Sequence, residues 1–131
     1  MLLFRDPKSA IEAVVDIELA IERYNEQALE SDQLYMGAGI GYGECLKLGD
    51  EDIYGVEVNF ASKLGEDLAG PYEIFVTTAA IKAIGRVAGV RFRKVPGGRL
   101  GGTKQPYYEA YYRTARDTAV RRAKKSRVRF K

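Results

Sequence analysis

The first element that the pattern of hydrophobic and polar positions predicts is a helix over residues 7–29. Its hydrophobic residues recur at alternating spacings of four and three, so one helical face carries Ala10, Val14, Ile17, Ile21, Tyr24 and Ala28. Asp6 and Pro7 mark its start, because aspartate caps free N–H groups and proline lacks the N–H that would stay unpaired there. Residues 1–4 are predicted to be the end of a strand.

Downstream of this helix, short stretches rich in β-forming residues predict strands, and two further helical stripes lie between them. Extended stretches at 34–40 and 42–48 predict a hairpin whose glycines allow close backbone packing. The later elements are an acidic turn, a helix, a strand, a short helix capped by Thr78, a strand, a glycine-rich loop and a tyrosine-rich strand, at 49–52, 55–69, 72–77, 78–84, 87–95, 97–102 and 106–112. This order predicts an α+β fold with helices packed on a largely antiparallel sheet.

Composition narrows the chemistry that is open to the chain. Its 131 residues suit a single domain, and the absence of histidine excludes catalysis by imidazole and every zinc site that contains histidine. Cys45 is the single cysteine, which excludes an intrachain disulfide and favours a reducing, cytoplasmic setting. No apolar run approaches the roughly 20 residues that cross a bilayer, so no membrane span is expected.

Charge divides the chain into two parts at residue 112. Residues 113–131 hold nine of the 21 Lys and Arg side chains and one of the 18 acidic ones, whereas residues 1–112 hold 12 basic and 17 acidic side chains. We therefore expect a folded domain over 1–112 and a basic, flexible C-terminal tail over 113–131. A solvated tail is favoured over contact with nucleic acid, so nucleic acid is not expected as a partner.

The most informative segment is GIGYGECLKLGDEDIYGVEVNFASKL, at residues 39–64. It contains GIGYGE and then DIYGVEVNFASKL, and PYEIFV follows at 71–76. In this order the three stretches resemble the G-I-x-x-G, D-x-x-G-x-x-V-N-x-A-x-[RK]-L and P-x-E-I-x-V motifs of the class III nucleotidyl cyclases, the adenylate and guanylate cyclase catalytic domains. The N-terminal LLFRDPKSAIEAVVDIELAIERYN is similar to the family's strand ending in F-x-D-P and the helix after it. The resemblance covers residues 1–112 and implies a ferredoxin-like cyclase-type sheet that lacks the family's first strands.

The resemblance implies roles for five side chains. Asp52 occupies the position that accepts a hydrogen bond from the adenine amino group in adenylate cyclases, and Asn59 that of the asparagine near the ribose. Lys63 stands where the family usually has an arginine that stabilises negative charge developing on the phosphate. Lysine is a mobile point charge, which implies weaker phosphate stabilisation. Arg99 and Lys104 flank the glycine-rich loop near the family's polyphosphate-binding lysine, and either could serve.

The same resemblance places the family's two metal-binding aspartates and a second base-reading lysine upstream of the helix at 7–29, and this sequence contains none of them. The complete family site uses Mg²⁺ or Mn²⁺, and we expect this chain alone to hold neither ion and to form no cyclic AMP. The implied function is an adenylate cyclase catalytic-domain fragment that takes ATP or a related nucleotide at a dimer interface. The alternative is a non-catalytic, cyclase-like dimerisation or regulatory module.

Plainer interpretations remain open for each of these features. Asp52 can cap a turn, Asn59 and Lys63 can be solvated helix residues, and the glycines can form an ordinary hairpin loop rather than a phosphate cradle. The tyrosines at 107–112 are expected to pack in the core or in an interface rather than to stack on bases. An unpartnered strand at residues 1–4, or the tyrosine-rich strand, is expected to mediate self-association, such as a homodimer.

Overall fold

The computed structural model describes residues 1–50, 52–100 and 103–112, which form three helices and six strands. The helices are α1 (Pro7–Gln27), α2 (Val56–Lys63), which continues into a π-helical turn (Leu64–Leu68), and α3 (Thr78–Ile84). The strands are β1 (Ala38–Ile40), β2 (Leu46–Leu48), β3 (Asp52–Tyr54), β4 (Ile74–Thr77), β5 (Val90–Lys94) and β6 (Tyr107–Tyr112). The tail predicted at 113–131 lies outside the described residues.

Four of the strands form a mixed sheet in the order β1-β4-β6-β5. β1 runs parallel to β4, whereas β4 and β5 are each antiparallel to β6. β2 and β3 form a separate antiparallel hairpin, in which Leu46 lies opposite Tyr54 and Leu48 lies opposite Asp52. The predicted α+β class is therefore confirmed, and the main sheet contains one parallel pairing.

Side chains alternate between the two faces of the sheet and build a core on each face. Ile74 and Val76 of β4 are fully buried and pack with α1 and α3. Phe75, between them in the sequence, points to the other face and packs with Leu64 at the end of α2 and with Leu100. The molecule therefore has three layers, with α1 and α3 on one side of the sheet and α2 on the other.

Helix α1 begins where the sequence predicted, but its buried face is shifted from the predicted one and shares Ala10 with it. Asp6 caps the helix by accepting a hydrogen bond from the Ser9 N–H at 2.8 Å. Its buried residues are Pro7, Ala10, Ile11, Glu18 and Asn25. Ile17 and Tyr24, predicted to be buried, are 36% and 48% exposed, because the true inner face includes two polar side chains that a hydrophobic pattern does not count. Within the described part of the chain, no helix is both long enough and apolar enough to cross a membrane.

Two predictions about strands are wrong. The stretches 34–40 and 42–48 do not pair with each other, because β1 joins the sheet beside β4 and the hairpin turns later, at Gly49 and Asp50. Residues 1–4 lie in no strand, since no described strand is paired with them. β6 lies inside the sheet with both of its edges paired, so a second copy cannot pair with an edge of this strand, and self-association through its tyrosines stays a prediction.

Candidate functional site

The predicted site residues Asn59 and Lys63 lie one turn apart on the exposed face of α2. The helix begins after Gly55, whose carbonyl oxygen accepts a hydrogen bond from the Asn59 N–H at 3.1 Å. The inner side of the helix packs on the sheet, where Leu64 is fully buried and Phe60 packs beside its cluster. An amide and an ammonium group are therefore presented side by side to the solvent.

Asp52 begins β3, and its side chain is exposed on the hairpin. β3 contacts α2, and Gly55 alone separates the strand from the helix. A Cβ atom on Gly55 would meet the Glu44 carbonyl oxygen at 2.9 Å, so the hairpin and the start of the helix pack closely. Asp52 lies at the turn end of the hairpin, opposite Leu48, whereas Tyr54 is the end of β3 that leads to α2, so Asp52 and Asn59 lie on different elements.

Arg99 and Lys104 lie in the loop between β5 and β6, which packs beside α2. Leu100 of this loop is 1% exposed and belongs to the same hydrophobic cluster as Leu64. Backbone hydrogen bonds within the loop help to close it. The Arg99 guanidinium donates a hydrogen bond to the Gly98 carbonyl oxygen at 2.7 Å, and both charged side chains are exposed.

Three cationic side chains are thus carried by two neighbouring elements. Lys63 lies on α2, and Arg99 and Lys104 lie on the loop that is anchored against this helix. Exposed cations on adjacent elements suit a polyanion such as a polyphosphate. Among the residues that the structure describes, no group of three or more His, Cys, Asp or Glu side chains is placed to hold a metal ion.

Glu57 lies in the first turn of α2 and was not predicted as a functional residue. Its carboxylate links this helix to the ends of β1 and β4. Its Oε1 atom accepts hydrogen bonds from the Thr77 hydroxyl at 2.5 Å and from the Tyr42 N–H at 3.1 Å. Thr77 in turn caps α3 by accepting a hydrogen bond from the Ala80 N–H at 3.1 Å. The carboxylate therefore fixes the start of α2 to the ends of β1 and β4. An acidic residue in the first turn of a predicted helix is the signal that could have drawn attention to it.

A cleft of about 770 Å³ also went unpredicted, and none of the five predicted site residues borders it. It lies between residues 1–7, α1, β1 and the side of α2 opposite Asn59 and Lys63. Its lining includes Ala10, Val14 and Ile17 of α1, Ala61 of α2, Gly65 of the π-helical turn, and the exposed Cys45. Three separate stretches of the chain, within residues 1–17, 36–45 and 57–66, form it, so no local pattern could have located it.

A buried polar cluster lies between α1 and the sheet, on the face opposite α2. Burial of Glu18 raises the pKa of its carboxyl group to about 7. The nearby Tyr112 hydroxyl opposes this rise only in part, because desolvation is the larger effect. The Tyr112 hydroxyl also donates a hydrogen bond to the Tyr72 carbonyl oxygen at 2.8 Å. The buried Asn25 side chain donates hydrogen bonds from its amide nitrogen to the Tyr72 hydroxyl and to the Leu34 carbonyl oxygen. Its amide oxygen accepts a hydrogen bond from the Leu34 N–H. The cluster holds the loop after α1 against the sheet.

Known proteins provide no independent assignment of this site. No protein-family model matches the sequence, and no curated protein matches it. The resemblance to class III cyclases therefore rests on the motifs at 39–64 and 71–76.

Proposed function

We propose that this chain provides the nucleotide-recognition half of a class III adenylate cyclase-type site, with ATP as its nucleotide. The observation that carries the proposal is the placement of Asn59 and Lys63 on one exposed face of α2, beside a loop with two further cations. The sequence motifs around these residues resemble those of the family, and the α+β sheet is compatible with a ferredoxin-like cyclase-type fold.

Each exposed side chain suits one part of ATP. The Asp52 carboxylate offers an acceptor for the adenine amino group, and the Asn59 amide can both donate and accept a hydrogen bond at the ribose. Lys63, together with Arg99 or Lys104, supplies positive charge where negative charge grows on the phosphates. These groups bind and orient the nucleotide. The activation of the ribose 3′ hydroxyl requires other groups.

Mg²⁺ or Mn²⁺ supplies that activation in a complete site of the family. The described residues of this chain include no group of three or more His, Cys, Asp or Glu side chains that could hold such an ion. In the proposal, the metal-binding carboxylates belong to a facing cyclase domain, and the working unit is a dimer. An ATP-consuming dimer of this kind, with an exposed free thiol at Cys45, suits a cytoplasmic setting.

Complementation of a defective cyclase tests the proposal. The full chain is mixed with a class III cyclase domain in which the base-reading aspartate and asparagine are replaced and the metal carboxylates are intact. We expect the mixture to form cyclic AMP, and neither protein to form it alone. The rate should be about 100-fold to 1,000-fold below that of an intact cyclase, because lysine at position 63 replaces a preorganised arginine contact.

Variants of the chain assign the complemented activity to the site. Asn59→Ala should abolish it, and Lys63→Arg should raise it. Lys63→Ala should lower it. Lys82→Ala removes an exposed lysine of α3, on the other side of the sheet, and is the matched control that should leave it unchanged. A mixed dimer that forms in sedimentation experiments but makes no cyclic AMP would contradict the proposal, and so would full complementation by Asn59→Ala.

The second candidate function is a non-catalytic interaction module, and one observation favours it. Large apolar side chains are exposed on the N-terminal segment, α1 and the hairpin, including Leu2, Phe4, Ile17, Leu46 and Tyr54. Larger exposed apolar patches mark association surfaces. The complementation experiment separates the two functions, because such a module would bind the cyclase domain without restoring cyclic AMP formation.

A further inference from the structure

The edge of β1 that faces away from β4 is open to the cleft. The Ala38 N–H donates to the Glu73 carbonyl oxygen at 2.9 Å, on the β4 side. Successive residues of a strand direct their backbone groups to opposite sides, so the N–H and C=O of Gly39 point towards the cleft. In the described ranges no strand pairs with this edge, since β1 is the last strand of its sheet.

Helices on both faces of the sheet form the walls of the cleft. Val14 and Ile17 of α1 line one wall, and Ala61 of α2 and Gly65 of the π-helical turn that follows it line the other. A segment that lies beside β1 would therefore be enclosed between the two helices, as the next strand of the sheet. The same walls keep the β1 edges of two copies from meeting directly. A free extended segment is the partner that this shape admits.

The chain carries a segment that fits this place. Residues 1–4 are apolar and lie in no strand, and Met1 and Leu2 are 78% and 68% exposed. Four extended residues span roughly 13 Å, which is enough to pair along the three residues of β1. Arg5 and Asp6 alone join the segment to α1. The segment already borders the cleft without forming a strand there, and rotation at the short link would carry it to a neighbouring molecule.

We propose that residues 1–4 of a second copy of this chain enter the cleft and pair with β1 as an added strand. Backbone groups of the entering segment bond the N–H and C=O of Gly39, and its side chains alternate between the α1 wall and the α2 wall. Because one chain holds both the segment and the cleft, two copies exchange segments about a two-fold axis. The exchange buries apolar side chains that a single copy exposes, and it does not depend on the proposed cyclase function.

Sedimentation of the full chain at increasing concentration measures the exchange. We expect a reversible dimer, and dimerisation about tenfold weaker or more for either Leu3→Asp in the segment or Ile17→Asp in the cleft, because each places a charge in an apolar contact. Leu29→Asp and Val56→Asp are matched controls, since Leu29 and Val56 are 73% and 67% exposed and do not border the cleft. Both controls should dimerise like the parent chain.

A mixture of the two weakened variants identifies which surfaces meet. The Leu3→Asp chain keeps an intact cleft, and the Ile17→Asp chain keeps an intact segment. A mixed dimer therefore retains one of the two exchanged contacts, whereas each variant alone retains neither. We expect the mixture to associate about tenfold more tightly than either variant. A dimer formed through another surface would show no such recovery.

Hydrogen exchange of the unaltered chain distinguishes an added strand from side-chain contact alone, and it stays decisive if a variant fails to fold. The Gly39 amide should exchange more slowly in the dimer than in the dilute monomer, while the amides of the β2–β3 hairpin should not change. The proposal is overturned by a chain that stays monomeric at every concentration. It is also overturned by a dimer that resists both aspartate substitutions in chains that circular dichroism shows to be folded, or by a dimer without slower exchange at Gly39.

Discussion

Glycines in β1 and directly after it set how closely α2 and its π-helical turn approach the sheet. A Cβ atom on Gly41 would lie 2.6 Å from the Glu57 carbonyl oxygen, and one on Gly39 would collide with the Ala61 carbonyl oxygen. Gly65 meets the strand from the other side, since a Cβ there would lie 2.9 Å from the Gly39 nitrogen. Backbone packs directly on backbone at this contact, and there is no space for one additional methyl group.

Gly39→Ala should therefore lower the free energy of unfolding by about 3 kcal/mol, because the added methyl group forces α2 away from the sheet. Gly49→Ala is the matched control. Nothing lies within 4 Å of a Cβ at Gly49, and its φ of +68° costs an alanine about 1 kcal/mol. Urea unfolding followed by circular dichroism measures both losses. Equal losses would show that the Gly39 contact is not tight.

For single residues, the sequence predicts whether a position is exposed or closely packed. It predicts less well which part of the chain lies beside that position. Close packing around Gly41 was predicted within a hairpin, whereas the structure packs this glycine against α2. A glycine indicates that another backbone segment packs closely against it, but it does not indicate which segment that is. The exposed placement of Asn59 and Lys63 follows from helical spacing. The position of Arg99 beside α2 depends on the burial of Leu100, which no local pattern specifies.

Among the elements, helix α1 is distinguished by a carboxyl group on its inner face. Burial of Glu18 raises the pKa of this group from 4.5 to about 7, and Tyr112 faces it from β6. A carboxyl whose pKa is raised by folding holds its proton more tightly in the folded chain than in the unfolded one. The folded state therefore loses stability as the pH rises from about 4.5 through about 7, and the loss is complete above that range.

Glu18→Gln should remove this pH dependence. We expect the free energy of unfolding of the parent chain to fall by about 2–3 kcal/mol between pH 5 and pH 8, because each tenfold change in proton affinity corresponds to about 1.4 kcal/mol. Glu18→Gln should then be the more stable chain at pH 8. Glu26→Gln, at an exposed position of the same helix, is the control and should follow the parent. A parent chain of constant stability across this range would refute the argument.

The start of α1 was predictable because Asp6 and Pro7 are local signals, and the Asp6 cap is confirmed. The buried face was not predictable, because Glu18 and Asn25 count as polar in any hydrophobic pattern. The side-chain amide of Asn25 gains its backbone hydrogen-bond partners only when the following loop folds back and brings the Leu34 backbone to it. Local patterns therefore locate the elements, while the burial of polar side chains depends on contacts between them.

In the molecule as a whole, burial is concentrated in the middle of the sheet. All four residues of β4 are buried, and the strand is paired on both sides. The β2–β3 hairpin has a single pairing, and it exposes Leu46, Leu48 and Tyr54. A two-stranded hairpin has little stability of its own. Local opening should therefore begin at the hairpin and reach β4 last.

Amide hydrogen exchange of the native chain should follow this gradient. The amides of Ile74 and Val76 should exchange at the rate of global unfolding, and those of β2 at least about 100-fold faster. β5 is an internal reference, because it is an outer strand paired on one side only and should lie between the two. Exchange measured by NMR or mass spectrometry gives all three rates in one experiment. Equal protection of β2 and β4 would contradict the predicted order of opening.

The α+β class was predictable from the order of helices and strands, but the arrangement of the sheet was not. The parallel pairing of β1 with β4 joins strands that are separated in sequence by the hairpin and α2. The cleft depends on this pairing, because it is bordered by β1 and by helices from both faces of the sheet. Such contacts arise from the packing of the entire chain, so local periodicity does not predict them.

Cys45 gives the cleft a natural attachment point for a spectroscopic probe. It borders the cleft, it is exposed, and it is the single cysteine of the sequence. Its thiol is near the Gly43 carbonyl oxygen, at 3.5 Å, and faces no competing cysteine for a maleimide dye or a nitroxide label. Fluorescence or electron paramagnetic resonance can thus monitor this part of the surface in a chain that carries no substitution.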